Sequence, residues 1–195
     1  CGNYKVVRII GEGGMGRVYE AQHTRIAGKR FAIKLLHPEF ARQPGVLARF
    51  QREAEASAAI SHPNVVGVYD VDRTADGTPF MVSELLEGHD LSKQLEKSVR
   101  ISPMQAVTIA RQVCRALQAA HDKGVIHRDV KPENVFLTGT LEDPSIKVLD
   151  FGISRLEGAG SSSLTKTGMV LGTPAYMPPE QAAGKAVDGR VDVYG

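Results

Sequence analysis

The sequence has 195 residues, of which 42% are hydrophobic and 24% charged, and its formal net charge is +2. These values are typical of a chain that folds as one large globular domain or two small ones, and they exclude a disordered chain. Lysines and arginines alternate with aspartates and glutamates along the chain and form no basic stripe. Nucleic acid is therefore not an expected partner.

The cysteines and the apolar runs indicate the cellular compartment in which the protein is expected. Cys1 and Cys114 are far apart in the sequence and make no disulfide framework, which favours a reducing cytoplasm. Cys114 is expected on the apolar side of a helix. No apolar run approaches the length needed to span a bilayer, so no membrane segment is predicted in this chain.

The first third of the chain alternates apolar and polar residues as the strands of an antiparallel sheet do. The segments YKVVRII, GRVYEAQ and KRFAIKLL predict three strands, and a glycine-rich turn connects the first two. A helix is predicted next, in VLARFQREAEASAAI. Glu53 lies on the apolar face of this helix, so its carboxylate should point inward. The other members of that face are Val46, Phe50, Ser57 and Ile60.

A hairpin and a linker follow this helix. The segments VVGVYDV and PFMVSE predict two strands joined by a turn at residues 75–77, where the sequence is Ala-Asp-Gly. The segment LLEGHD predicts a linker, which we place at residues 85–89. The first lobe should therefore span residues 1–84, and a mostly helical second lobe should span residues 90–195.

The longest predicted helix lies in the second lobe. Ser102 and Gln105 form a capping box with Pro103 at the first helical position, and the helix should end at Gly124. Its predicted apolar face consists of Val107, Ala110, Cys114, Leu117 and His121. The helix ends just before the most polar loop of the chain.

That loop is VIHRDVKPENVFL, residues 125–137. The apolar residues at its two ends, Val125-Ile126 and residues 135–137, predict short buried strands that would hold the polar groups at fixed separations. A charged loop of this kind is either a functional site or a solvated surface loop. The rest of the chain decides between these two interpretations.

The glycine-rich turn GEGGMGRV spaces Gly11, Gly13 and Gly16 so that the backbone can approach phosphate groups closely. Three interpretations compete: a dinucleotide site, a hairpin that covers a nucleotide, and a plain turn. A dinucleotide site needs a helix after the last glycine, whereas the residues RVYEA continue as a strand. The sequence therefore favours the nucleotide-covering hairpin.

Lys34 stands in the apolar strand segment FAIK, between Ile33 and Leu35. A lysine in a strand is usually a solvated surface group. Here, however, Glu53 on the following helix is expected to point inward, and it can supply the counter-charge that a buried ammonium group needs. The sequence therefore predicts an ion pair between Lys34 and Glu53.

The segment LDFG ends a predicted strand with Asp150, a candidate cation ligand. Taken in order, the glycine-rich loop, the strand lysine, the helix glutamate, HRDVKPEN, DFG and GTPAYMPPEQ resemble the signature motifs of protein kinases over the whole chain. The sequence looks specifically like the bacterial eukaryotic-like, or Hanks-type, serine/threonine kinases. The resemblance implies an α+β fold with a small antiparallel-sheet N-lobe, a mostly helical C-lobe, and an activation segment over residues 150–180.

The resemblance also implies roles for the polar residues of the second lobe. Asp129 would be the catalytic base for the substrate hydroxyl, and Lys131 would contact the γ-phosphate of ATP. Asn134 and Asp150 would hold Mg²⁺, with Mn²⁺ as a substitute, because oxygen ligands suit these cations. These residues form the expected centre of catalysis.

The same resemblance predicts a nucleotide site. Lys34, fixed by Glu53, would hold the α- and β-phosphates. Val18 and Ala32 would cover one face of the adenine ring, and Phe136 would cover the other. The remaining expected nucleotide-binding residues are Ile10, Gly11, Glu12, Gly13 and Gly16 in the glycine-rich loop, the gatekeeper Ser83, and Glu84 and Leu86, which would make the hinge hydrogen bonds. A gatekeeper as small as serine predicts a deeper pocket.

Two features of the resemblance concern the substrate and the regulation. Lys131, two residues after the base, is the feature that this family uses for serine and threonine substrates, and Thr173 would contact Lys131 and Asp129. Arg128 before the base indicates an activation segment that is ordered by phosphorylation. The expected phosphorylation sites are Thr165 and Thr167.

The implied activity is the transfer of the γ-phosphate of ATP to serine or threonine hydroxyls of protein substrates. Autophosphorylation of the activation segment would bring two kinase chains together as a dimer. The main alternative is a pseudokinase, which binds nucleotide or acts as a scaffold without transfer, and the second is an NAD-dependent oxidoreductase. The kinase domain is expected in the cytoplasm, and this expectation is compatible with a membrane anchor after residue 195.

The end of the sequence predicts an incomplete C-lobe. VDVYG begins a helix in which the resemblance places Asp192 as the residue that holds the backbone of the His127-Arg128 turn. Glu180 would pair with an arginine beyond Gly195. The chain is therefore expected to be truncated, and to fold poorly or stay inactive by itself.

Overall fold

The computed structural model describes residues 1–13, 16–97, 100–151 and 174–195, and within these ranges the chain divides into two compact units. The first unit comprises Cys1–Ser61 and Val66–Glu87, and the second comprises His62–Val65 and Gly88–Gly195. The two units are interleaved along the sequence, because a segment of four residues in the N-terminal half belongs to the second unit.

The first unit is built on a five-stranded antiparallel sheet. Its strands are β1 (Tyr4–Gly13), β2 (Gly16–His23), β3 (Arg30–Leu36), β4 (Val68–Arg73) and β5 (Pro79–Glu84), and their order is β1-β2-β3-β5-β4. The three predicted N-terminal strands and the predicted hairpin are confirmed. Gly77 in the hairpin turn has a φ of 85°, which glycine adopts without a steric penalty. The buried cluster of this sheet consists of Ala21, Ile33, Phe80 and Val82.

Two helices, α1 (Pro38–Ala41) and α2 (Pro44–Ala59), connect β3 to β4 where the sequence predicts one. Phe50 and Ala54 of α2 pack with Leu36 and Met81 in a buried cluster. The predicted inward face is confirmed, because its five members are all less than 9% exposed: Val46, Phe50, Glu53, Ser57 and Ile60. The packing that buries the apolar side chains of α2 therefore also carries a glutamate into the interior.

The second unit combines helices with a small antiparallel sheet. Its strands are β6 (His89–Asp90), β7 (Val135–Leu137) and β8 (Ile146–Val148), in that order. Its helices are α3 (Leu91–Lys97), α4 (Pro103–His121), α5 (Pro179–Ala182) and α6 (Val191–Tyr194). A 3₁₀ turn, Pro132–Asn134, directly precedes β7, so the polar loop ends where a strand begins.

The start of α4 is as predicted. The hydroxyl of Ser102 accepts a hydrogen bond from the Gln105 backbone N–H, and the Gln105 side chain accepts one from the Ser102 N–H. The long helix that this capping box opens does not suit a bilayer, and no helix in the described ranges is long and apolar enough to cross one.

The predicted apolar face of α4 is confirmed at Leu117 and wrong at Val107, Ala110 and Cys114. Val107 is 62% exposed and Cys114 is exposed, whereas the buried side chains of the helix are Ile109, Ala116, Leu117 and Ala120. The physical reason is that α4 has apolar residues on more than one side, and a polar contact selects the side that faces β8. The side chain of Gln112 accepts a hydrogen bond from the Ile146 N–H and donates one to the Pro144 carbonyl oxygen.

The predicted strand at Val125-Ile126 is also wrong. In the described part of the chain these residues pair with no strand, and the Val125 N–H donates instead to the Ala120 carbonyl oxygen at the end of α4. β7, by contrast, pairs with both β6 and β8. The polar loop is therefore anchored to a helix at its start and to a sheet at its end.

The segment His62–Val65 belongs to the second unit through the hydrogen bonds of Asn64. The Asn64 amide donates to Gln112 Oε1 on α4 and to the Ile146 carbonyl oxygen on β8, both at 2.9 Å. The carbonyl oxygen of Asn64 accepts a hydrogen bond from the Val148 N–H at 2.8 Å. A short piece of chain between α2 and β4 is thus built into the second unit.

Candidate active site

In the first unit, β3 and α2 bring the predicted charge pair together. Nζ of Lys34 lies 2.8 Å from Oε1 of Glu53, and the two side chains are 25% and 11% exposed. Lys34 stands opposite Val18 of β2 and Met81 of β5, so the central strand of the sheet fixes its backbone. Partly desolvated charges need a partner to offset the loss of hydration. The ion pair therefore holds an ammonium group in a defined place on the sheet.

The glycine-rich segment contributes to two antiparallel strands, β1 and β2, in which Gly13 stands opposite Gly16. A strand-to-helix dinucleotide turn does not fit this geometry. A β-carbon at Gly16 would overlap with the carbonyl oxygen of Leu35 in β3, so sheet packing alone requires glycine there. At Gly11 and Gly13 the nearest atoms to an added β-carbon are 3.7 and 3.9 Å away. Packing within the sheet therefore does not explain why these two positions are glycine.

The other predicted nucleotide-binding residues of the first unit lie on three strands and the linker. Ala32 and Ser83 stand opposite each other in β3 and β5. Glu84 ends β5, and its carboxylate accepts a hydrogen bond from the Gly67 N–H at 2.7 Å. Ile10 and Glu12 belong to β1, and Leu86 lies in the linker. Their contacts with an adenine nucleotide stay a prediction.

In the second unit, the polar loop gathers three of the predicted catalytic residues. Oδ2 of Asp129 lies 2.9 Å from Nζ of Lys131 and 3.1 Å from Nδ2 of Asn134. The Asn134 amide also donates to the backbone carbonyl oxygen of Asp129 at 2.8 Å. The 3₁₀ turn Pro132–Asn134 makes these contacts possible by turning the chain back towards Asp129. Two donors thus fix the orientation of the Asp129 carboxylate.

The backbone just before Asp129 adopts an uncommon conformation. Arg128 has a φ of 65°, a region in which residues with a side chain are strained. The buried carboxylate of Asp192 on α6 stabilises it by accepting hydrogen bonds from the His127 N–H at 2.9 Å and the Arg128 N–H at 2.7 Å. Nε2 of His121 lies 2.7 Å from the same carboxylate. The predicted role of Asp192 is therefore confirmed.

His127 connects the loop to the segment that leads to Asp150. Its ring is fully buried and lies 4.8 Å from the ring of Phe151, centroid to centroid. Nδ1 accepts a hydrogen bond from the Asp129 N–H, and Nε2 donates to the Leu149 carbonyl oxygen at 2.8 Å. Burial lowers the pKa of His127, because water cannot reach the ring to solvate an imidazolium. The neutral ring is the form that satisfies both contacts.

The guanidinium of Arg128 has no ion pair within the described residues, and its Nε is buried without a hydrogen-bond partner among them. Burial lowers the pKa of Arg128, while the charge of Asp192 opposes this shift. A partly buried arginine without a counter-ion is well suited to an anionic group such as a phosphate.

The remaining predicted residues of this unit are placed as follows. Asp150 is exposed just after β8, with a φ of 38°, and Phe136 is half-buried in β7. The predicted positions Thr165, Thr167 and Thr173 lie outside the described residues.

Sequence patterns do not predict two polar contacts that support this loop, one made directly and one through Asp192. Nε2 of Gln181 on α5 donates to the Arg128 carbonyl oxygen at 3.0 Å, and His121, predicted on an apolar face, contacts Asp192. The only available signal for Gln181 was its place beside the motif residue Glu180. No periodicity could indicate a contact between a short helix and a loop 53 residues earlier.

Comparison with known proteins points to one family. A family model described as a protein kinase domain matches residues 4–195. The serine/threonine-protein kinase Pkn1 of Myxococcus xanthus is 43% identical over 195 residues, which are 100% of this chain and 27% of Pkn1. The probable serine/threonine-protein kinase PknB of Corynebacterium glutamicum is 41% identical over 194 residues, 98% of this chain and 29% of that protein. The chain thus spans less than a third of the length of these relatives.

A solved structure is similar over the same region. The crystal structure of the Mycobacterium tuberculosis PknI kinase domain superposes with a TM-score of 0.74 and 34% sequence identity. The superposition covers 97% of this chain and 69% of the PknI chain. Sequence similarity and fold similarity therefore agree over nearly the whole chain.

Proposed function

The chain belongs to the protein kinase family, and we propose that it forms the catalytic part of an ATP-dependent serine/threonine protein kinase. The proposed reaction transfers the γ-phosphate of ATP to a serine or threonine hydroxyl of a protein substrate. Two relatives that are 43% and 41% identical carry the name serine/threonine-protein kinase, which supports the same chemistry here.

The observation that carries this proposal is the arrangement around Asp129. Lys131 and Asn134 both contact Oδ2 of its carboxylate, at 2.9 and 3.1 Å. A carboxylate whose orientation is fixed in this way can accept a hydrogen bond from a substrate hydroxyl and take its proton as the oxygen attacks phosphorus. The neighbouring ammonium of Lys131 can stabilise the negative charge of the phosphoryl group in transfer.

The residues of the second unit also fit a magnesium ion. The Asn134 side chain bonds to Asp129 through Nδ2, so its Oδ1 points to the opposite side of the amide and can serve as a neutral oxygen ligand. Asp150 offers an exposed carboxylate at the end of β8. Mg²⁺ is usually bound through one or two protein oxygens together with phosphates and water.

In the first unit, two features support binding of the ATP phosphates. The ion pair with Glu53 fixes the ammonium of Lys34, a suitable partner for the α- and β-phosphates. Gly11 and Gly13 have room for a β-carbon within the sheet, so their lack of side chains is better explained by a close approach of phosphate. When bound, Mg²⁺ would neutralise phosphate charge.

Several finer features complete the proposal. Lys131 supports serine and threonine as acceptors, and Thr173 is proposed to contact it. Thr165 and Thr167 are proposed as autophosphorylation sites, with Arg128 as a partner for the new phosphate. Autophosphorylation would involve a dimer of two kinase chains, and the need for ATP favours a cytoplasmic location.

The direct test is phosphoryl transfer from radiolabelled ATP with Mg²⁺ to a generic basic protein, catalysed by the full-length protein and by its Asp129→Asn variant. Loss of a general base typically costs about 10²–10⁴ in rate, so we expect a decrease of that size in kcat. ATP affinity, measured by displacement of a fluorescent nucleotide, should stay within about twofold, because Asp129 acts on the hydroxyl and not on the nucleotide.

A matched control is Asp143→Asn, which makes the same chemical change at an exposed position away from the loop. It should leave kcat unchanged. Nucleotide binding by the wild type without any transfer would favour the pseudokinase, whereas binding of NADH in preference to ATP would favour the oxidoreductase. Transfer by Asp129→Asn at the wild-type rate would contradict the role of Asp129.

A further inference from the structure

Side chains hold both the peptide that joins Arg128 to Asp129 and the N–H group that precedes it. The Arg128 N–H, just before this peptide, donates to Asp192 at 2.7 Å. The carbonyl oxygen of the peptide itself accepts a hydrogen bond from Nε2 of Gln181 at 3.0 Å. Because a carbonyl oxygen can only accept, the group that Gln181 presents to it must be the NH₂ of its amide.

We propose that Gln181 is a positioning residue for phosphoryl transfer, which acts by fixing the plane of the Arg128–Asp129 peptide and thereby the direction of the Asp129 carboxylate. This inference rests on the proposed kinase function and assigns a part in it to α5, a helix that carries none of the expected catalytic groups. Asp192 bonds only to the two preceding N–H groups, and His127 Nδ1 accepts from the N–H of this peptide, that of Asp129, at 3.2 Å, so Gln181 supplies the contact at the opposite, carbonyl edge of the peptide.

Two observations strengthen the case that this contact has a purpose beyond packing. Arg128 has a φ of 65°, and a strained backbone persists only when the surrounding groups over-determine it. Moreover, Gln181 makes this bond although its Oε1 is buried and has no hydrogen-bond partner among the described residues. A buried amide with one unsatisfied atom is unfavourable, so a wholly apolar side chain would be the better choice for packing alone.

The experiment compares the variants Gln181→Met and Gln181→Glu, both made in the full-length protein. Methionine keeps the approximate size and removes both polar atoms, whereas glutamate keeps an acceptor and removes the donor. Both variants should lower kcat about tenfold, the effect of losing one hydrogen bond that positions a reacting group. KM for ATP should change less than about twofold, because the nucleotide-binding residues are untouched.

Gln118→Met is the matched control. Gln118 is an exposed residue of α4 whose amide donates to Asp122 at 2.7 Å, outside the polar loop. This variant should keep the wild-type kcat. Thermal midpoints of all variants should be measured beside the kinetics, because a merely structural role would lower stability and raise KM together with any fall in kcat.

The outcomes separate this inference from the proposed function. If the wild type transfers phosphate and Gln181→Met keeps its kcat, Gln181 has no positioning role. If Gln181→Glu keeps the wild-type kcat while Gln181→Met loses it, the buried acceptor matters and not the donor, and the inference is again wrong. A wild type that binds ATP but transfers nothing overturns the kinase assignment and this inference with it.

Discussion

Buried carboxylates occur in both units, and two of them, Glu53 in the first and Asp192 in the second, do different work. Glu53 in the first unit pairs with a side-chain ammonium, that of Lys34, at 2.8 Å. Asp192 in the second unit contacts two backbone N–H groups and the ring of His121, and it pairs with no lysine or arginine among the described residues. The first holds a functional group directly, whereas the second holds the backbone that carries one.

This difference has a physical consequence. If Lys34 is lost, the carboxylate of Glu53, 11% exposed, loses the counter-charge of Lys34 at a cost in stability, but the strands around position 34 remain paired through their backbones. The backbone N–H groups of the strained turn have no such independent support, because the conformation itself depends on the acceptor. Loss of Asp192 should therefore damage the fold and the chemistry, whereas loss of Lys34 or Glu53 should mainly damage nucleotide binding.

The largest expected effect is that of Asp192→Ala. Removal of the carboxylate leaves the buried N–H groups of His127 and Arg128 without an acceptor, so we expect a loss of about 3–5 kcal/mol in the free energy of unfolding. Transfer activity should fall below detection. Denaturant unfolding of the full-length protein measures the first effect, and Asp188→Ala should shift the transition much less, because the carboxylate it removes and its partner Arg190 are both exposed. An equal shift in both variants would remove the contrast between the two carboxylates.

The second effect concerns the first unit. Lys34→Met should lower kcat/KM by about 10²–10³ through loss of an electrostatic contact to the phosphates. Most of the fall in kcat/KM should come from weaker ATP binding, which nucleotide displacement measures. The loss of stability should be smaller than for Asp192→Ala, and thermal unfolding measures it. Lys147→Met, which removes a lysine that bonds to a backbone carbonyl, is a control for the change of side chain. Wild-type ATP affinity in Lys34→Met would show that this ammonium does not bind nucleotide.

The third effect concerns phosphate groups on Thr165 and Thr167, which lie outside the described residues and which we propose to pair with Arg128 of the second unit. The double variant Thr165→Ala with Thr167→Ala should be about 10- to 100-fold less active, since each charge-assisted hydrogen bond to a phosphate contributes about 1.5–3 kcal/mol. Mass spectrometry of the active protein should find phosphate at these positions. The Arg128→Ala variant should be insensitive to the double substitution, and full activity of the unphosphorylated double variant would contradict this form of regulation.

The smallest expected effect is a dependence of stability on pH. The pKa of His127 is lowered by burial, so the unfolded chain binds this proton more readily than the folded chain. The contribution of His127 to the free energy of unfolding is fully present above about pH 6.5, the pKa of histidine in an unfolded chain. It is lost as the pH falls below that value, by at most about 1.4 kcal/mol per pH unit. His127→Phe should show a shallower slope between pH 7.5 and 5.5 in denaturant unfolding. Parallel slopes would exclude His127 as the source.

The first unit could be predicted from the sequence to a greater extent than the second. The alternation of β1 to β3 and the inward face of α2 are local patterns, and they placed Glu53 beside Lys34 correctly. The order of motifs identified the family, which in turn indicated Asp192. Nothing local could show which side of α4 is buried, because apolar residues occur on several sides and the contact of Gln112 with β8 selects one.

The contact of Gln181 with the polar loop could not be predicted from the sequence for a related reason. Its partner is a backbone carbonyl group, which has no side-chain identity and leaves no pattern in the sequence. The conformation of Arg128 that orientates this carbonyl is likewise set by a residue 64 positions away. Positions that hold a strained backbone are visible only when the fold brings distant segments together.

The segment His62–Val65 has a consequence for how the protein can be divided and in what order it is made. A polypeptide that began at Gly88 would lack Asn64, so Gln112 and β8 would lose partners that the second unit needs. No single cleavage can therefore release that unit whole. During synthesis from the N-terminus, Asn64 is made before Gln112 and Ile146, so the second unit can form completely only after β8 has been made.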